Sequence, residues 1–144
     1  MLKLFPFILF FLIPHSSFCQ AIDTNRYRME VEISGEAGNF FTNDPYWLGA
    51  DGAASVDLGN GKVLWLFSDS FIGSDSSRSR KKSTFARNSI AIQDGYELKT
   101  ASLQFYWNRS KKKPQAFFHL PGKFWFWTGH GVRIKDKLLI FLIQ

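Results

Sequence analysis

The chain has 144 residues, 45% of them hydrophobic and 21% charged, a balance that excludes a disordered or low-complexity protein and requires a buried core. Its 16 Phe, 5 Trp and 4 Tyr make 17% of the sequence aromatic, the side chains that fill all-β cores and line sugar-binding clefts. A single cysteine, Cys19, excludes an internal disulfide and a CxxC metal or redox site. The net charge of +6 is unevenly spread: residues 20–75 carry nine acids against three bases, and residues 76–144 carry three acids against fourteen bases.

In chain order, a short cationic start at Lys3, an apolar run over residues 4–13 and a polar break at residues 14–17 read as a secretory signal peptide over residues 1–19. The run is too short for a bilayer span, so no permanent membrane span is expected. Small residues fit cleavage after Cys19 or Ala21. Phe18 fits lipoprotein processing at Cys19 poorly, so the product is expected to be secreted or periplasmic.

The mature part reads as strands and turns without a helix. Tyr27, Met29, Val31 and Ile33 alternate with polar residues, which makes residues 20–43 an N-terminal strand segment. Residues 53–58 and 62–69 flank Gly59-Asn60-Gly61 as a hairpin, and residues 63–67, apolar on both faces, form an interior strand. Residues 73–84 lack apolar periodicity and read as a solvated loop. Residues 88–93 and 96–103 pair around Asp94-Gly95. A polar loop over 108–114 leads into 115–120, a Pro121-Gly122 turn and the aromatic run 124–127. A hairpin of residues 132–134 and 137–143 around Lys135-Asp136 closes the chain.

An internal repeat joins these segments. Trp47-Leu-Gly49-Ala-Asp51-Gly52 and Trp127-Thr-Gly129-His130-Gly131, 80 residues apart, each precede a hairpin whose second strand is fully apolar. Four-stranded antiparallel units at such a period suggest β-propeller blades.

With Leu64-Trp-Leu-Phe-Ser-Asp69-Ser and Arg87-Asn88-Ser89, the first of these motifs resembles the opening blade of a family of secreted bacterial five-bladed propellers. That family, formerly a domain of unknown function, includes endo-D-arabinanases. It is similar in architecture to the arabinanases, levansucrases and invertases. Ser68 and Ser70 depart mildly from the family's Gly and Thr, and His130 stands in the second W-x-G motif. The resemblance implies an all-β fold: a partial five-bladed β-propeller, with residues 44–144 forming the first blade and the start of the second. The chain is then expected to be the truncated N-terminal part of a longer protein and inactive alone.

Hydrolysis of a glycosidic bond needs two carboxyl groups across the sugar ring. Asp51, between two small residues at a strand entry, is the candidate nucleophile or base; an Asp-Gly pair also makes turns. Asp69, at the end of the interior strand, is either catalytic or a hydrogen-bond organiser between blades. The second acid would lie beyond Gln144. Candidate substrate-binding residues are Trp47 and Trp127 as stacking platforms, Asn88 and Ser89 as hydroxyl-binding groups, and His130, aligned with Asp51 in the repeat. Each has a packing or turn alternative.

The basic clusters at 78–82 and 109–113 read as solvated loops, with acidic-glycan contact a better functional guess than nucleic acid. Asn108-Arg109-Ser110 has the pattern of a glycosylation sequon. No nucleotide, zinc or other cofactor motif is present, and neither a cofactor nor a metal is expected. The expected function is a glycoside hydrolase-like propeller acting on a furanoside polysaccharide such as arabinan. The alternative is a non-catalytic, glycan-binding or envelope-associated propeller.

Overall fold

The computed structural model describes residues 32–109 and 113–144. The expected signal peptide and most of the strand read over residues 27–33 lie outside them. Among the described residues no helix is long and apolar enough to cross a membrane.

The first regular element corrects the helix-free reading of residues 20–43. It is α1 (Gly35–Thr42), whose N-terminus is capped by the Ser34 hydroxyl accepting from the Ala37 amide at 3.3 Å. Two glycines and an asparagine in eight residues give α1 a low intrinsic propensity. Packing supplies what propensity lacks: Phe40 is buried, and Phe41 meets the edge of Trp65 at 4.9 Å.

The nine strands that follow among the described residues are all antiparallel, in agreement with the all-β expectation. They are β1 (Trp47–Ala50), β2 (Ala54–Gly59), β3 (Lys62–Phe67), β4 (Ser70–Gly73), β5 (Ser83–Ala86), β6 (Ser89–Asp94), β7 (Ser102–Tyr106), β8 (Trp127–Ile134) and β9 (Lys137–Ile143). They form a four-stranded meander β2-β3-β6-β7, a three-stranded sheet β1-β4-β5 and the hairpin β8-β9. The β2–β3 turn is the expected one, with Asn60 and Gly61 both at positive φ, 54° and 76°, as a two-residue hairpin loop requires.

β3 is apolar on both faces because it separates two cores. Leu64 and Leu66 pack with Val56 and Ile90 on one side. Phe67 joins Trp47, Ile72, Ala91 and Phe105 on the other, with the Trp47 and Phe105 rings stacked at 4.2 Å. Over the first core lies β8, where the Cα of Gly131 comes so close that an added Cβ would stand 2.9 Å from Val56.

Three local readings change. The supposed solvated loop 73–84 contains the end of β4, a 3₁₀ turn (Arg80–Lys82) and the start of β5. The partner of β6 is β7, with Asp94 facing Ser102, so residues 95–101 are a connection and not a strand. Residues 116–126 are irregular and are tied to the meander by Asn88.

Candidate functional site

Residues 47–59 and 62–73 run as one long antiparallel pair that divides between two sheets. Ala50 faces Ser70 in one and Ala54 faces Leu66 in the other, so the register is kept across the break and Asp51 stands opposite Asp69. Backbone bonds hold the junction: the Asp51 amide donates to the Asp69 carbonyl at 3.2 Å, and the Ser68 amide to the Asp51 carbonyl at 3.0 Å. Gly52, at φ 63°, makes the bend; a Cβ there would lie 2.8 Å from the Ser68 hydroxyl. That hydroxyl is already committed, donating to the Thr128 carbonyl at 2.9 Å.

The two carboxylates differ in environment. Asp51 is exposed, and among the described residues its carboxylate has neither an ion-pair nor a hydrogen-bond partner. Asp69 is held: its Oδ1 accepts from the Trp127 indole N–H at 2.8 Å and lies 3.5 Å from the Arg87 guanidinium, and its side chain is only 18% exposed. Two like charges directly opposite one another destabilise a strand pair, and Arg87 offsets part of that repulsion.

Around the pair runs a belt of alternating rings and cations. The Arg80 guanidinium lies over Phe71 at 4.8 Å, and Phe71 packs edge-on to Phe85 at 5.2 Å. Arg87 sits between Phe85 at 5.3 Å and Trp125 at 4.6 Å, and Trp125 meets Trp127 at 4.6 Å. Phe85 and Trp125 are 44% and 39% exposed, large apolar faces left open beside two carboxylates.

Asp51 divides two hollows. One, of about 270 Å³, is lined by Asp51, Asp69, Phe71, Arg80 and Phe85. The other, of about 380 Å³, is lined by Asp51, Gly52, Ser68, Trp127, Thr128 and Ile143. The Thr128 hydroxyl is buried and has no hydrogen-bond partner among the described residues. Among the described residues no group of His, Cys, Asp or Glu could hold a metal ion.

Of the residues singled out from sequence, Asp51, Asp69 and Trp127 come together here. Trp47, Asn88 and Ser89 do not; each is spent on internal packing. Trp47 is 5% exposed, and its indole N–H donates to Ser89 Oγ at 3.0 Å. Ser89 donates on to Ser70, which donates to the Ser68 carbonyl at 2.7 Å, a buried chain of bonds beneath the junction. Asn88, fully buried, donates to the Phe118 and Phe126 carbonyls and accepts from the Phe118 amide at 2.7 Å. None of the three lines either hollow beside Asp51. His130 is exposed, bonds the Gly131 carbonyl through Nδ1 and lines neither hollow.

A family model, that of a domain of unknown function designated DUF5005, matches residues 36–144. The chain belongs to the DUF5005 family. The match runs from α1 to the last residue, so the junction, the belt and both hollows lie within the DUF5005 domain. A crystal structure of a "putative hydrolase" from Bacteroides ovatus ATCC 8483 is similar in fold, with a TM-score of 0.58 and 21% identity over 74% of the chain. The chain spans 32% of that protein's length. Comparison with curated proteins finds no match.

Sequence reasoning missed Phe71, Arg80, Phe85, Arg87 and Trp125 as site residues. The only local signal was the β-branched and aromatic pair Thr84-Phe85 just before the Arg87-Asn88-Ser89 motif, too short to announce a strand.

Proposed function

We propose that the DUF5005 domain of this chain is the entry blade of an exported glycoside hydrolase that cuts a furanoside polysaccharide such as arabinan. The observation that carries the reading is the position of Asp51: an unpartnered carboxylate on the divide between two adjoining hollows, opposite a second carboxylate that is fixed in place. A polymer lying across both hollows would bring one of its linkages over Asp51, with sugar rings packed on Phe85 in one hollow and Trp127 in the other. In this reading β2-β3-β6-β7 is a propeller blade and β8-β9 opens the next.

Asp51 acts as the nucleophile or as the base that activates water. Asp69 is a positioning residue: bound by Trp127 and Arg87, it holds the β8 strand entry against the junction. The acid that protonates the leaving oxygen comes from another blade of the same ring. The fold-level likeness to a structure described as a hydrolase agrees with this reading without assigning a substrate.

The exposed belt also favours a second reading, a propeller that binds glycans and does not cut them. Incubating the full-length protein with linear arabinan and measuring new reducing ends separates the two. Release of oligosaccharides supports hydrolysis. Retention on arabinan without release supports the binding reading instead.

A further inference from the structure

A further hollow in the described residues lies away from the carboxylate pair and has a different chemistry. Its volume is about 470 Å³, within the range of small-ligand sites. It occupies the opposite end of the β1-β4-β5 sheet, at Tyr46, Gly73 and Thr84. It also opens on the other face: Ile72 and Thr84, partners in the β4–β5 register, line this hollow, while their neighbours Phe71 and Phe85 line the one beside Asp69.

Its lining contains two cations, Arg109 and Lys113, and no acid. Asn108 and Gln115 exchange backbone bonds, both 3.0 Å, just outside Arg109 and Lys113, and both cations line the hollow. The Arg109 guanidinium is steadied over the buried Trp107 ring at 4.2 Å, and among the described residues it has no carboxylate partner. Among the described residues the hydroxyls of Tyr46, Ser74 and Thr84 have no hydrogen-bond partner, and Lys113 has no ion pair. The Tyr46 ring is 42% exposed.

We propose that this hollow is a second binding site, for a uronate-bearing saccharide, with the carboxylate held by Arg109 and Lys113 and the sugar ring packed against Tyr46. Cations without acids select an anion, and an open aromatic face with unpartnered hydroxyls suits a polyhydroxylated ring better than a bare ion. The site makes no use of Asp51, so it stands whether or not the carboxylate pair hydrolyses anything.

The test is calorimetric titration of the full chain with digalacturonate, with the neutral disaccharide galactobiose and with inorganic sulfate. The expected result is at least about tenfold tighter binding of digalacturonate than of galactobiose or sulfate, weakening as salt rises. Arg109→Gln and Lys113→Gln, both at exposed positions, should each lower that affinity several-fold without changing the melting temperature. Tyr46→Ala should lower it as well, and Asp51→Asn should leave it unchanged. Equal affinity for the neutral sugar, equal affinity for sulfate, or indifference to both cation replacements would overturn the proposal.

Discussion

At the residue scale, Asp69 and Thr128 make opposite predictions. Asp69→Ala leaves the Trp127 indole N–H without its acceptor and Arg87 without its counter-charge, so it should destabilise the domain by about 1–3 kcal/mol in denaturant unfolding. Thr128→Val removes a buried hydroxyl that has no partner while keeping the side-chain shape, so it should leave the melting temperature unchanged or raise it. A lower melting temperature for Thr128→Val would mean that the hydroxyl has a partner after all. Asp75 offers a pH test. Hydrogen bonds from the Ser77 hydroxyl and amide, and then Lys82, hold its carboxyl down at about 2, below the ordinary 3.8. A depressed carboxyl stabilises the folded loop above its ordinary value, and that contribution is lost as pH falls from 3.8 towards about 2. An NMR titration of the Asp75 carboxyl should find its midpoint near the lower value; a midpoint at 3.8 would contradict the loop geometry.

At the scale of elements, the junction between β1 and β2 depends on Gly52. Gly52→Ala would force a Cβ into the Ser68 hydroxyl and place an L-residue at φ 63°, and Ser68 is pinned by Thr128, so a loss of roughly 1 kcal/mol or more is expected. Asn88→Ala should loosen residues 118–126, read as faster amide exchange at Phe118, while the Phe117 amide keeps its bond to the backbone carbonyl of residue 88. What the sequence disclosed follows from locality. The β2–β3 and β8–β9 hairpins were legible because Asn60-Gly61 and Lys135-Asp136 announce their turns, and the doubly apolar 63–67 run announced a central strand. β4 and β5 were hidden because their pairing spans a serine-rich, basic segment whose anchors are distant: Arg78 bonds the Asp44 and Trp47 carbonyls across the chain. Helix α1 was hidden because packing on Trp65, not propensity, sustains it. The same nonlocality divided the site: Asp51 and Asp69 carried a motif, whereas the belt residues acquire meaning only when β4 pairs with β5.

At the scale of the molecule, the two cores on either side of β3 are closed, but β9 is not. Leu139, Phe141 and Ile143 are 47%, 59% and 53% exposed, and Leu138 and Leu142 are open on the other face. An exposed apolar strand invites association, so the 144-residue chain should self-associate with rising concentration in light scattering. Phe141→Lys should suppress this association; a wild-type chain that stays monomeric would show that this face is tolerated. In the proposed function Asp51, free on the divide between two hollows, carries out hydrolysis. The decisive comparison is of arabinan hydrolysis by the full-length wild-type protein and by its Asp51→Asn variant. The substitution keeps the volume and removes the carboxylate. Turnover should fall by at least about a hundredfold while the melting temperature holds or rises, because the repulsion between the facing carboxylates is relieved. Near wild-type turnover in Asp51→Asn would contradict the account.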